Sequence, residues 1–162
     1  MKRVSYSDNR QTGFTLVELI LVISLLSILA VIGLPKFFEP SSFKIKAAQD
    51  LTINTLRYAQ KLANATNCQT QFQSAENGQW IKIMMQQTCN QGDFTRTVYN
   101  PGTLEPHFSI YLQGLSLVMT PNGPITFFPE GYILTSDRSP PVLSIAGKSF
   151  TISPQTGFIH AQ

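Results

Sequence analysis

An α+β fold is what this sequence of 162 residues predicts: a long N-terminal helix, membrane-spanning in its first half and amphipathic in its second, packed on an antiparallel β-sheet. Three observations predict it. From Leu19 to Leu34 there are sixteen residues without a charge. From Phe43 to about Ala65, apolar residues recur at steps of three and four, the period of one helix face. Beyond Asn67 short apolar runs alternate with Gly, Pro and Asn, the texture of short antiparallel strands.

The first element is the uncharged run, with a carboxylate, Glu18, at its entry and a basic leader ending in Gly13 ahead of it. An ionisable group at the edge of hydrocarbon is costly and needs a partner or a use. Cutting the chain after Gly13 supplies a partner, the free amino group of Phe14. An uncleaved anchor and a conventional secretory signal are the competing readings. The run exceeds a signal's apolar region of roughly 7–15 residues and falls short of a full span of ~20. Counted from Phe14 to Leu34 it reaches twenty-one residues, enough to span if Glu18 is paired. A conventional cleavage site wants small residues at the end of the run, and Val31-Ile-Gly33 is a poor one. Neither competing reading explains Gly13, Phe14 and Glu18.

Charge sets the orientation. Lys2, Arg3 and Arg10 against Asp8 keep the leader cytoplasmic, so the rest crosses the membrane. The whole chain has 12 Lys and Arg against 9 Asp and Glu. Without the leader nine basic and eight acidic residues remain, a net charge of only +1. The basic balance therefore belongs largely to the leader and is no argument for nucleic-acid binding.

Pro35 and Pro40, followed by Ser41 and Ser42, predict a kink or short break in the helix, because proline removes a backbone bond and clashes with the preceding turn. Ser41 or Ser42 is the expected cap of the restarted helix. The predicted apolar stripe is Ala48, Leu51, Thr55, Tyr58, Leu62 and Ala65, with Ala59 and Ala63 beside it. If continuous, the two halves make a helix of about fifty residues, on the order of 75 Å long.

Predicted strands follow at Gln69–Phe72, Trp80–Met85, Phe94–Tyr99, Phe108–Leu112, Ser116–Met119, Ile125–Phe128, Tyr132–Leu134, Val142–Ile145, Phe150–Ile152 and Phe158–His160. Asn77-Gly78 marks a hairpin turn, since both residues tolerate positive φ. Trp80, among apolar neighbours, is read as core rather than a ligand platform. Cys68 and Cys89 are the only two cysteines, both on the translocated side where disulfides persist. A bridge between them, rather than two free buried thiols, is expected, worth about 3 kcal/mol on the chain-entropy account.

The Gly13-Phe14 junction with Glu18 resembles the type IV prepilin signature of type IV pilins and type II secretion pseudopilins. The resemblance implies a pilin-like fold, cleavage between Gly13 and Phe14, N-methylation of Phe14, and a role for Glu18 in filament assembly. Leu56-Arg-Tyr-Ala-Gln-Lys-Leu-Ala63, Ile125-Thr-Phe-Phe-Pro-Glu-Gly131 and Phe150–Ile159 are similar to segments of the FimT/GspH group of minor pilins. Cys68 with Cys89-x-x-Gly-x-Phe-Thr95 looks most like the C-type minor pilin of the mannose-sensitive haemagglutinin (MSHA) pilus. The implied organisation is a cytoplasmic leader over 1–13, a transmembrane and filament-core helix over 14–35, the amphipathic half over 36–67, and a periplasmic β-sheet domain over 68–162.

The expected function follows from that resemblance: a minor pilin of the inner membrane, then of a pilus or pseudopilus, helping to initiate or cap the filament. Its expected partners are prepilin peptidase, other major and minor pilins and the inner-membrane assembly platform. A type II secretion pseudopilin and a DNA-uptake minor pilin are the alternatives. DNA-binding members of the group follow the last strand's glycine with arginine, whereas Gly157 is followed here by Phe158-Ile-His-Ala-Gln162. Binding to phosphates needs several charges acting together, and only folding could gather Arg96, Arg138 and Lys148. No enzyme, cofactor or metal site is expected: there is no Gly-rich phosphate loop, HExxH or GxSxG, and His107 and His160 are the only histidines. Asn64-Ala-Thr66 matches a glycosylation sequon but lies inside the predicted helix.

Overall fold

The computed structural model describes residues 15–37, 40–89 and 91–161, with side chains described outside 31–40 and 161. The chain divides into two compact units, 1–40 and 41–162. The first contains helix α1 (Leu16–Phe37). Helix α2 (Pro40–Thr66) leads the second unit. Pro35 lies inside α1, and residues 38–39, where a break before Pro40 would fall, lie outside the described residues. Ser41 and Ser42 lie in the first turn of α2 and neither is its cap, a correction to the expectation.

The ten predicted strands are present, several of them shorter or shifted by a residue or two. β1 (Thr70–Ala75), β2 (Trp80–Met85), β3 (Arg96–Thr97), β4 (Phe108–Tyr111), β6 (Ile125–Phe127) and β7 (Ile133–Leu134) form one sheet. β5 (Leu117–Thr120), β8 (Val142–Ile145), β9 (Lys148–Ile152) and β10 (Ile159–Ala161) form a second, ordered β10-β9-β8-β5. All pairings are antiparallel. Two sheets replace the single one expected. β4 pairs with β2, but β5 leaves that sheet to pair with β8. Two backbone bonds tie the sheets: Leu117 N–H donates to Gly78 O at 2.9 Å and Ile133 N–H to Pro154 O at 2.8 Å.

The β1–β2 hairpin turns at Asn77-Gly78 as expected, with both residues at positive φ. Alternation in β2 buries Ile81, Ile83 and Met85 and leaves Trp80, Lys82 and Met84 half-buried on the opposite face. Trp80 is therefore not a core residue. Its ring lies 5.2 Å from that of Tyr111, its cross-strand neighbour.

Helix α2 packs on this core through Ala48, Thr52, Thr55, Leu56, Ala59 and Ala63, all buried. The stripe is rotated from the predicted one: Leu51 is exposed at 40% and Ala65 is also exposed. Small side chains explain the rotation. Alanine and threonine let the helix backbone approach the sheet, close enough for Thr70 Oγ1 to donate to Ala59 O at 2.8 Å. Thr52 and Thr55 satisfy their own hydroxyls by donating one turn back, to Ala48 O and Leu51 O, so burying them strands no donor.

Candidate functional site

The expected processing and assembly residues lie at the start of α1. Gly13 and Phe14 fall outside the described residues. Thr15 precedes the helix, and its Oγ1 accepts from Glu18 N–H at 3.3 Å while its carbonyl accepts from Leu19 N–H at 3.2 Å. That is one half of a capping box, so Thr15 fixes where α1 starts and Glu18 lies in its first turn, where a carboxylate suits the helix dipole. The Thr15-x-x-Glu18 spacing was readable in the sequence, but the apolar run drew the reading past it. Among the described residues Glu18 is exposed and has no cationic partner.

The described side chains of α1 run to Ala30, and its large apolar residues are all exposed, from 45% at Val22 to 74% at Leu16. The two serines hide their polarity: Ser24 Oγ donates to Ile20 O at 2.8 Å and Ser27 Oγ to Ile23 O at 2.7 Å. Among the described residues no helix is long and apolar enough to cross a membrane. The expected span of 14–35 is only partly among them.

In the second unit, the three segments that suggested the FimT/GspH group meet at one place. Gln60 of α2 donates from Nε2 to Thr156 O at 2.9 Å, holding the turn between β9 and β10. The Asn64 carboxamide, oriented to donate, reaches Pro129 O at 3.3 Å in the turn between β6 and β7. Gly157 sits between them, at φ 63°, with Gln60 on one side and Gly131 O on the other. This polar clamp locks the helix end to both turns, and its role is architectural. Asn64 thus faces the β-domain from within α2, which argues against the sequon.

The other feature is a sulfur corner. Cys68, immediately beyond α2, is bonded to Cys89, with Cα atoms 4.2 Å apart. Cys68 is buried at 1% exposure and Cys89 is half-buried. Arg96 on β3 is paired with Met85 on β2, which brings its guanidinium over the corner. Its Nη2 lies 3.5 Å from Cys68 Sγ and 3.4 Å from Met85 Sδ. Sequence reasoning named Arg96 only as a candidate basic residue. Nothing in the local sequence announces this contact, because it depends on strand pairing.

Arg96, Arg138 and Lys148 stand on different elements: β3 of the first sheet, the turn after β7, and the start of β9 in the second sheet. His160 packs edge-on against Phe158, ring centroids 4.7 Å apart. Among the described residues no group of His, Cys, Asp or Glu is arranged to hold a metal.

Comparison with known proteins resolves what the geometry belongs to. A family model described as the prokaryotic N-terminal methylation motif matches residues 8–34. The minor pilin FimU of Pseudomonas aeruginosa superposes with a TM-score of 0.54 at 17% identity, over 75% of this chain and 90% of that one. The chain carries a prokaryotic N-terminal methylation motif and a pilin-like fold. The minor pseudopilin EpsH from the type 2 secretion system of Vibrio cholerae gives 0.51 at 13% identity, over 74% of this chain and 96% of that one. A search of curated protein sequences finds no match. That pilin-like fold is α+β, with a helix on antiparallel sheets.

Proposed function

We propose that the chain is a minor subunit of a type IV pilus, of the MSHA type, that helps initiate or cap the filament. It is made as a precursor with a cytoplasmic leader over 1–13, cut by prepilin peptidase between Gly13 and Phe14, and methylated on Phe14. The segment 14–35 then anchors it in the inner membrane, with the amphipathic half over 36–67 and the β-domain over 68–162 outside. The observation that carries this reading is the methylation motif over 8–34 standing directly ahead of a minor-pilin fold. The exposed apolar surface of α1 supports it: a helix apolar all round needs lipid or neighbouring helices to cover it. In the filament those neighbours are other pilins, delivered through the inner-membrane assembly platform. Glu18 pairs with the amino terminus of an adjacent subunit, and away from water that attraction is strong enough to select one axial register.

The MSHA assignment rests on Cys68 and the Cys89-x-x-Gly92-x-Phe94-Thr95 run. A second reading, a type II secretion pseudopilin, is favoured by the fold shared with EpsH. N-terminal mass spectrometry of the membrane-bound protein tests the proposal: the mature chain begins at methylated Phe14, and Gly13→Glu leaves the precursor intact. Glu18→Ala is processed normally but fails to enter filaments. A mature chain starting elsewhere overturns the processing account, and unchanged incorporation of Glu18→Ala overturns the charge-pairing account. Epitope-tagged protein recovered with sheared MSHA pili, rather than with the secretion apparatus, separates the two systems.

A further inference from the structure

The two sulfurs of the disulfide are not equivalent, and the difference bears on how the bond is made and opened. Cys89 is half-buried and so partly open to solvent; Cys68, two residues beyond α2, is buried at 1% exposure. Among the described residues, Cys68 alone of the two has a cation in contact, the Arg96 guanidinium at 3.5 Å from its Sγ. Thiol–disulfide exchange depends on which sulfur can be reached and on how readily the other leaves as a thiolate. Access points to attack at Cys89, and charge points to departure of Cys68.

One feature opposes the second point. Thr66 O lies 3.3 Å from Cys68 Sγ, at the negative end of α2, where it favours a neutral thiol. The helix end carries about half an elementary charge, the guanidinium a full one of the right sign. At comparable distances the full charge wins, and thiols beside Arg are among those whose thiolates are stabilised. Among the described residues no other charged side chain touches either sulfur.

We propose that Cys89 is the sulfur through which this disulfide exchanges with an external thiolate, and that Cys68, with Arg96 as its counter-ion, is the leaving and resolving sulfur. The incoming thiolate bonds to Cys89 Sγ, the Cys68–Cys89 bond breaks, and its electron pair stays on Cys68 Sγ as a thiolate held against Arg96. In reverse, Cys68 thiolate attacks the mixed disulfide on Cys89, closes the bond and expels the external thiolate. No net oxidant is consumed in either direction. The substrate class is a thiolate, from a small thiol or from a dithiol oxidoreductase.

The test uses the full chain in detergent, treated with reduced glutathione at one neutral pH, quenched by alkylation and mapped by peptide mass spectrometry. Glutathione should appear on Cys89 and the alkylating group on Cys68. Arg96→Gln should slow the exchange on the order of threefold, because the leaving thiolate loses its counter-ion. Arg96→Lys should restore the rate to within about twofold, which a merely steric role would not predict. A dithiol oxidoreductase reduced to its single attacking cysteine, run alongside, shows the source. Trapping on Cys89 with both probes assigns protein and small thiols alike; trapping with glutathione alone assigns small thiols. Glutathione on Cys68, equal labelling of both cysteines, no exchange at all, or an Arg96→Gln rate equal to the parent's overturns the proposal.

Discussion

Gly78 and Gly157 both hold positive φ, yet substituting them should not cost the same. A Cβ on Gly78 would overlap the Leu117 carbonyl, part of the β5 backbone that Leu117 N–H fixes by donating to Gly78 O. A Cβ on Gly157 would meet Gln60 Nε2 at 2.5 Å and Gly131 O at 3.1 Å, and the first of these can swing away. Gly157→Ala should therefore destabilise by about 2 kcal/mol, mostly from left-handed strain and the lost Gln60 bond. Gly78→Ala should cost more, about 3–4 kcal/mol, because the sheets must part. Urea denaturation of the two variants checks the order, and equal losses would show that the contact at Leu117 gives more than its geometry suggests. Asp137 offers a separate, pH-dependent test. Ser139 N–H and then Ser139 Oγ donate to its Oδ1, at 2.9 and 2.7 Å, and these bonds hold its carboxyl below the ordinary aspartate value of 3.8. A lowered value in the folded state means the turn is supported at neutral pH and loses that support as pH falls through the lowered value. Protection of the Ser139 amide against hydrogen exchange, corrected for the intrinsic rate, should hold down to about pH 3.8 and decline below it. Asp137→Asn should remove the pH dependence. These turn bonds are local, but nothing in the residue pattern singles them out from other Asp-containing turns.

At the scale of elements, α2 is fitted to the sheet by small residues. Ala59 has no exposure, and its carbonyl accepts the buried Thr70 hydroxyl. Ala59→Leu should force the helix off the sheet and cost about 3 kcal/mol, whereas Ala65→Leu, on the exposed side, should change stability by less than about 0.5 kcal/mol. Thermal unfolding distinguishes them, and a similar effect at both positions would argue for the predicted stripe over the observed one. The predicted stripe followed steps of three and four through Ala48, Leu51, Thr55, Tyr58, Leu62 and Ala65. Ala48 and Thr55 are buried and Tyr58 and Leu62 half-buried, but Leu51 and Ala65 are exposed, because close approach through small residues turned the buried face toward Thr52, Leu56, Ala59 and Ala63. The strands were more legible: β2 and β8 lie where the sequence placed them, since alternation and turn residues are local properties. The predicted strand at Phe94–Tyr99 shrank to Arg96–Thr97 because only those residues find partners, opposite Met84 and Met85.

For the whole molecule, the question is whether the folded domain gathers enough positive charge to hold DNA. Arg96 is engaged at the sulfur corner, Arg138 lies in the turn after β7 and Lys148 opens β9, so folding distributes them over three elements. The C-terminal strand offers Phe158, 60% exposed, and the edge of His160, but no fixed cation. A mobility shift with the full chain in detergent at ~0.15 M salt and neutral pH should show no binding, since weak phosphate contacts are screened there. Retained binding that disappears in Arg138→Gln or Lys148→Gln would turn the functional reading from filament subunit towards DNA capture.

The sequence by itself determined the N-terminal signature, the α+β class and the order of the elements, because each depends on residues close in the chain. Gly13, Phe14 and Glu18 are read at fixed spacing, a helix from its period and a hairpin from Asn77-Gly78. Tertiary structure decided which face of α2 is buried, that the strands divide into two sheets, that Trp80 faces outward and that Arg96 covers Cys68 rather than its partner. Each of those outcomes turns on contacts between residues far apart in sequence. Their strength is set by the fit of two surfaces, which no single segment encodes.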